Sequence, residues 1–175
     1  ENITMEIVDT DGDSASQSFS IYLDGEDPYG GELVLEAVMG TSGNNTLTGT
    51  IGNDIIQGGS GNDILTGGDG DDVFIWTVAD ADGGTDTVTD FAFNLIDGSA
   101  ENDVLNLSDL LSDGVSNEIV AAVSGGNLQL TVQSQADSSV LQVIELTDVA
   151  VANQGEADLL LADLLANNNI DDGTV

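Results

Sequence analysis

The chain has 175 residues, of which 33 are Asp or Glu and none is Lys, Arg or His, giving a formal net charge of -33. No side-chain salt bridge can form, and a phosphate or nucleic-acid site built on basic side chains is excluded, because counterion release needs cations. With no Cys and no His, disulfides, zinc or haem sites and a Ser-His-Asp triad are excluded as well, which leaves carboxylate and hydroxyl chemistry.

Length sets a prior of about one domain. Hydrophobic residues make up 40% and mean hydropathy is +0.06, too apolar for a disordered chain swollen by its charge, yet the charge implies severe self-repulsion. The two facts are reconciled if divalent cations neutralise the carboxylates of the folded state. Calcium is the natural candidate, as a hard cation that takes oxygen from Asp, Asn and backbone carbonyls. No run of 18 apolar residues occurs, so no membrane insertion is expected. The start Glu1-Asn2-Ile3 has no basic region, so no signal peptide is expected there.

Residues 1–38 read as strands. Ile3, Met5 and Ile7 alternate, as do Phe19, Ile21 and Leu23, with a turn at Asp9-Thr10-Asp11-Gly12-Asp13 between them. Asp9, Asp11 and Asp13 invite comparison with an EF-hand loop. That loop demands Gly at its sixth position and Glu at its twelfth, where this chain has Ser14 and Ser20, so a plain hairpin turn is predicted. A third strand, Leu33 to Val38, leads onward.

Residues 39–110 are dominated by glycine: ten of the 22 Gly lie between Gly40 and Gly70. Four copies of a nine-residue unit follow one another, GTSGNNTLT (40–48), GTIGNDIIQ (49–57), GGSGNDILT (58–66) and GGDGDDVFI (67–75). The pattern G-G-x-G-x-D-x-U-x is that of a calcium-binding parallel solenoid. Its Gly-rich first, second and fourth positions suit a turn with positive φ and close backbone approach. Its sixth column is Asn45, Asp54, Asp63 and Asp72, and its eighth is Leu47, Ile56, Leu65 and Phe74. A turn of about six residues followed by a strand of about three points that single apolar residue inward.

Two copies then make a coil of roughly 18 residues, with turns alternating between the two sides of a flattened solenoid. Turns from alternate copies stack, so the Asn45 turn meets the Asp63 turn and the Asp54 turn meets the Asp72 turn. Carboxylates and carbonyl oxygens between them can supply a shell of about six or more oxygens for calcium. The candidate ligating residues are Gly43 and Asn45, Gly52 and Asp54, then Gly59, Ser60, Gly61, Asn62 and Asp63, and finally Gly68, Asp69, Gly70, Asp71 and Asp72. Asn45 stands where Asp is expected, so the first stack should carry less charge and bind more weakly.

Beyond the copies come Asp82-Gly83-Gly84-Thr85-Asp86-Thr87-Val88-Thr89-Asp90-Phe91 and Asn102-Asp103-Val104-Leu105-Asn106-Leu107-Ser108-Asp109-Leu110. Together with the four repeats, these segments resemble the RTX (repeats-in-toxin) calcium β-roll. The resemblance implies an all-β fold, a parallel β-roll with flanking β-strand caps and a short C-terminal helix. It implies too that Asp86 and Asp90 complete the last calcium sites. The N-terminal strands resemble the closing hairpin of the immunoglobulin-like repeats in large type I-secreted bacterial adhesins; a cap over the first coil is the other reading, since end coils expose apolar surface.

Residues 111–175 change character. Ile119 to Val123 and Leu128 to Val132 flank Ser124-Gly125-Gly126-Asn127 as a hairpin. Val140 to Leu146 makes another strand, with Val140, Gln142, Ile144 and Leu146 on one face. Glu156 to Asn167 shifts to helical period, with Leu159, Leu160, Asp163, Leu164 and Leu165 on one stripe. Asn167-Asn168-Asn169 stops it and the chain ends polar in Asp171-Asp172-Gly173. This acidic, Leu-bearing tail resembles the C-terminal type I secretion signal of RTX adhesins. A solenoid cap is the alternative, and the two roles are compatible.

The expected function is a non-enzymatic, calcium-dependent folding and secretion module at the C-terminus of a giant extracellular adhesin, with the type I secretion apparatus and calcium as partners. The resemblance places it at the bacterial cell surface, in biofilm or host attachment, as a monomeric part of a longer chain. Other readings are a calcium-dependent carbohydrate- or surface-binding module, with Trp76, Tyr22, Tyr29, Phe91 and Phe93 as a stacking platform, or the RTX domain of a secreted toxin or hydrolase. In the core reading Phe74, Trp76, Phe91 and Phe93 instead fill the wide end of the roll. A paired-carboxylate glycosidase is the one enzyme class chemically open, and 4% aromatic residues make a poor sugar cleft. No regular threonine array of the kind an ice-binding face needs is visible.

Overall fold

The computed structural model describes residues 17–20, 36–93, 101–112 and 117–173. The strand expected at Ile3–Ile7, the Asp9–Asp13 turn, Ile21 and Leu23 lie outside these residues. The fold is a parallel β-roll flanked by an antiparallel meander and a helix. Its strands are β1 (Gln17–Ser20), β2 (Glu36–Met39), β3 (Thr46–Thr48), β4 (Asp54–Gln57), β5 (Ile64–Thr66), β6 (Val73–Ile75), β7 (Thr85–Val88) and β8 (Val104–Asn106). A short helix α1 (Ser108–Ser112) follows, then β9 (Asn117–Ser124), β10 (Asn127–Ser134), β11 (Val140–Ala150), helix α2 (Gln154–Ala166) and β12 (Ile170–Asp171).

Successive repeats send their strands to opposite sheets, ordered β1-β2-β4-β6-β8-β12 and β3-β5-β7-β11-β10-β9. Within each sheet the roll strands run parallel, with Leu47 opposite Leu65 and Ile56 opposite Phe74. One apolar side chain per strand enters the interior, because a three-residue strand has only its central side chain on the inner face. Leu47, Ile56, Leu65, Phe74, Val88 and Leu105 are all buried, each contributing about 1.5–3 kcal/mol by leaving water. Trp76, Phe91 and Phe93 are buried with them, and Phe91 packs between Phe74 at 6.4 Å and Phe93 at 5.7 Å between ring centroids.

The roll begins before the repeats. Of the expected strand Leu33–Val38, residues 33–35 lie outside the described residues and the rest falls in β2, whose Glu36 and Val38 pair in parallel with Asp54 and Ile56. Val38 is buried in line with Ile56. Residues 36–39 thus form a half-coil without repeat glycines, and β2 runs through the boundary expected between residues 38 and 39.

The closing body is larger than the sequence pattern suggests. β9 and β10 form the expected hairpin around Gly125 (φ 60°) and Gly126 (φ 95°), and two positive φ values make a type I′ turn that suits the twist of the flanking strands. β11 extends four residues past the expected Leu146, to Ala150. It pairs with β10 on one side and, in parallel, with β7 on the other, so the meander continues the roll's own sheet. Of the residues expected on one face, Gln142, Ile144 and Leu146 are buried, while Val140 is exposed.

Helix α2 corrects the predicted stripe. Its buried residues are Ala157, Leu160 and Leu164, whereas Leu159 is 71% exposed and Asp163 faces solvent. The true stripe follows i, i+3, i+7, and Leu159 sits one residue off it. Asn153 caps the N-terminus by accepting from the Glu156 amide through Oδ1 at 3.1 Å. Asn168 takes a left-handed φ of 60° and turns the chain back. The expected polar tail instead enters the fold: Ile170 is buried and β12 adds parallel to β8. Asn169 Nδ2 donates to the Asp103 carbonyl at 2.8 Å, tying this last strand to the roll.

No described helix is long and apolar enough to cross a membrane.

Candidate metal centre

The eighteen-residue stacking deduced from the repeats is present at both edges of the roll. On one side the Asn45 amide donates to Asp63 Oδ1 at 2.8 Å and the Asp63 amide to Asp86 Oδ1 at 2.8 Å. On the other, the Asp54 amide donates to Asp72 Oδ1 at 2.8 Å and the Asp72 amide to Asp103 Oδ1 at 2.9 Å. Asp63 and Asp72, and after them Asp86 and Asp103, therefore accept from the backbone of the coil before them. A complementary ladder runs the other way at the fifth column. Asn44, Asn53, Asn62 and Asp71 each accept, through Oδ1, from the amide of the coil after them, at Asn62, Asp71, Thr85 and Asn102.

Asp54, Asp63 and Asp72 are at most 1% exposed. Asp54 Oδ1, Asp63 Oδ2 and Asp72 Oδ2 have no hydrogen-bond partner, alone among the buried side-chain atoms of the described residues. A buried carboxylate oxygen without a donor is expensive, and a chain without Lys, Arg or His holds no side-chain cation to pair with it.

Glycine is what opens space there. A Cβ at Gly58 would lie 2.3 Å from Asp63 Oδ2 and one at Gly67 would lie 2.1 Å from Asp72 Oδ2, both impossible contacts. Gly68, at φ 105°, and Gly70, at φ 129°, take backbone conformations that L side chains rarely adopt. The donor set is thus hard oxygen only, held in rigid turns, which fits calcium. Among the described residues no three acidic side chains come together as a cluster. Backbone carbonyls and Asn oxygens of the turns would have to complete any shell, which calcium accepts readily.

The two edges differ. The Asn45–Asp63 side holds one unpartnered oxygen and the Asp54–Asp72 side holds two. Asn45 Oδ1 is already engaged by the Thr41 amide at 2.7 Å and the Thr41 hydroxyl at 3.2 Å, so the first stack is the poorer in charge and in free acceptors.

Burial raises the carboxyl of Asp63 to about 6, partly opposed by the Asn45 amide and reinforced by the charge of Asp86. Burial likewise raises Asp72 to about 6, opposed by the Asp54 amide and reinforced by the Asp54 carboxylate. Asp103 reaches about 7 through burial, against the Ala92 and Asp72 amides. Asp86 is raised by burial, against the donors Trp76 and Asp63.

The closing residues sit differently from the repeat aspartates. Asp86 Oδ2 accepts from Trp76 Nε1 at 2.6 Å and from Gln142 Nε2 at 2.9 Å, so both its oxygens are engaged. Asp90 grips the start of the fourth repeat, its Oδ1 and Oδ2 accepting from the Gly67 and Gly68 amides at 2.9 Å each. Asp103, absent from the expected ligands, takes the next rung above Asp72, and its Oδ2 accepts from the Ala92 amide at 2.8 Å. The motif Asn-Asp-x-apolar, shared by Asn53-Asp54-Ile55-Ile56, Asn62-Asp63-Ile64-Leu65 and Asn102-Asp103-Val104-Leu105, marks that role without any repeat glycine. Ser60, Gly61, Gly43, Gly52, Gly59 and Asp69 lie in the stacked turns as expected. Gly61 donates its amide to Asp82 Oδ2 at 2.9 Å.

Away from the turns, a recess of about 290 Å³ lies between α1, β9 and α2, with Leu111, Ile119 and Leu165 as its apolar lining.

Residues 39–74 match the model of the RTX calcium-binding nonapeptide repeat (4 copies). Calcium is thus the metal of these repeats, in agreement with the unpartnered oxygens of Asp54, Asp63 and Asp72. Among solved structures, the chain is similar to the AlgE6R2 subunit from the Azotobacter vinelandii mannuronan C5-epimerase. That match has 21% identity and a TM-score of 0.46, and covers 78% of this chain and 93% of the other. A similar match is to the AlgE6R3 subunit from the same epimerase, with 20% identity, a TM-score of 0.31, and coverage of 77% and 81%. A search of curated proteins gives no match.

Proposed function

We propose that the chain is a non-enzymatic module that folds on calcium after export, serving as the C-terminal folding and type I secretion region of an extracellular bacterial adhesin. The observation that carries the folding role is the set of three buried carboxylate oxygens without donors in stacked turns. Bound calcium would supply the positive charge that the chain itself lacks. Asp54, Asp63 and Asp72, with the carbonyls of their turns, would hold it, and Gly58 and Gly67 keep the approach to Asp63 and Asp72 clear.

Linkage then makes folding depend on the medium. A ligand bound by the folded state alone, at 100 times its dissociation constant, adds about 2.7 kcal/mol per site. Extracellular calcium modules bind at roughly 10⁻⁴ to 10⁻³ M, so the repeat turns would stay open where calcium is scarce and close where it is plentiful. An exporter that passes unfolded chains suits such a module. The adhesin parent and the secretion role rest on the resemblance of the N-terminal strands and the acidic tail.

Of the aromatic residues in the carbohydrate-binding alternative, Tyr22 and Tyr29 lie outside the described residues, and Trp76, Phe91 and Phe93 are all at most 4% exposed and present no stacking face. The sixth-column carboxylates Asp54, Asp63 and Asp72 are likewise buried, out of reach of a glycosidic bond.

Circular dichroism in EDTA followed by a calcium titration tests the proposal. Calcium is expected to add β structure cooperatively, and Asp63→Ala or Asp72→Ala to move the midpoint to higher calcium. Variants that both titrate like the parent would refute it.

A further inference from the structure

We infer that the closing end of the roll is built to fold without metal, its two terminal ladder positions being satisfied by protein donors in place of a cation. This rests on the calcium-folding reading above and divides the chain into two parts with opposite metal dependence.

The contrast lies in carboxylates of the same type in the same ladders. Asp63 and Asp72 each keep one oxygen without a donor. Asp86 and Asp103, the next rungs, keep none. Asp86 collects three donors, from the Asp63 amide, Trp76 Nε1 and Gln142 Nε2. Asp103 collects two, from the amides of Asp72 and Ala92. Both are at most 2% exposed, so these donors substitute for water entirely. A metal entering at Asp86 Oδ2 would have to displace the indole and the amide, two good donors to a buried charge. Asp86, which the RTX resemblance would make a ligand, is instead the point where the ladder is closed.

Apolar burial divides at the same place. Among the described residues, twenty of the 24 buried apolar side chains lie at or beyond Phe74, whereas residues 37–70 supply Val38, Leu47, Ile56 and Leu65 alone. The closing body therefore has a core able to offset its own ordering, and the repeat coils do not. Its hydrogen bonds close on themselves as well. β11 reaches β7 through the Val143 amide to the Gly84 carbonyl at 3.0 Å, and the C-terminal turn reaches β8 through the Leu105 amide to the Asn169 carbonyl at 2.8 Å. In this arrangement the edges of β6 and β7, which β4 and β5 cover in the complete roll, offer a preformed template onto which the repeat coils add when calcium arrives.

Trp76 is the chain's one tryptophan and it sits at the closure, so its fluorescence reports that region alone. Emission in EDTA should already be that of a buried indole and should change little on adding calcium. Amide exchange read by mass spectrometry should show β7 to β12 and α2 protected in EDTA, and residues 40–70 exchanging freely. Calcium at a hundredfold excess over its dissociation constant should then slow residues 40–70 by about 100-fold or more. Gln142→Met should weaken protection of the closure in EDTA. An exposed Trp76 in EDTA that calcium restores would overturn this inference and leave calcium-driven folding intact. Repeat amides protected equally with and without calcium would overturn both. Unchanged closure protection in Gln142→Met would remove the role given to that donor and overturn the inference as stated.

Discussion

At Gly58 and Gly67 the absent side chain does the positioning: it leaves Asp63 Oδ2 and Asp72 Oδ2 open where a methyl group would collide with them. Gly67→Ala should therefore act through the site, with overpacking of about 1–3 kcal/mol seen as a higher calcium midpoint. An alanine variant that titrates like the parent would show that the hollow is not used. Asn45 offers the reverse test. The Thr41 amide and hydroxyl already aim at its Oδ1, as those of Thr50 aim at Asp54 Oδ2, so an aspartate fits the same geometry. Asn45→Asp should bring the first stack up to the charge of the second and lower the calcium midpoint by about tenfold, equivalent to ~1.4 kcal/mol. Isothermal titration calorimetry would show this as a tightened weak class of sites. The sixth column was legible because period nine fixes which residues stack. Asp103 was not, because the spacing between rungs grows from 18 residues to 31 where the closing segment intervenes. The partners of Asp86 were hidden for a related reason: Gln142 is 56 residues away and meets it through tertiary folding alone.

Among the elements, the short strands were readable since each carries one inward apolar residue at a fixed place in the repeat. Once the repeat ends, local pattern competes with tertiary contacts. β12 is two residues long and exists because Ile170 has Leu105 beside it, which no local signal encodes. Helix α2 was readable as a helix, but Leu159 and Leu160 are adjacent leucines and periodicity alone did not say which one packs. Burial now decides. Leu164→Ala should destabilise the closing body by about 2–5 kcal/mol, while Leu159→Ala should lie within roughly 0.5 kcal/mol of the parent. Thermal unfolding in EDTA and in calcium would separate the two, with the calcium midpoint of the Leu159 variant unchanged. The roll also creates an alignment that the linear sequence does not display. Thr48 lies opposite Thr66, and Thr66 and Thr89 share a 2.8 Å hydroxyl contact on the outer face. This short rank is not a regular array, and the Thr66 and Thr89 hydroxyls are occupied with each other.

For the whole molecule, 33 acidic groups and no basic ones make pH a second lever alongside calcium, and acid should favour the closing body while opposing calcium in the repeats. In chelator the folded part is the closing body, where burial holds Asp103 at about 7 and raises Asp86 as well, whereas an unfolded Asp titrates near 3.8. Folding therefore favours the protonated form. The stabilisation is fully present below about pH 4 and is lost as pH rises through about 7. Without metal, the melting temperature should rise on acidification from pH 8 to pH 5, the reverse of acid denaturation in proteins whose carboxylates are paired. In saturating calcium the repeat carboxylates Asp63 and Asp72, which burial raises to about 6 in the folded turns, are needed ionised, so the acid gain should shrink and the calcium midpoint should climb as pH falls below about 6. Relief of general charge repulsion has the same sign in chelator, but it is screened over about 3 Å in 1 M salt, while burial of individual carboxyl groups is not. Melting curves at pH 5 and pH 8 in EDTA with 1 M NaCl separate the two contributions. A rise that survives the salt assigns the effect to the buried ladder, and one that vanishes assigns it to the overall charge and refutes the ladder account.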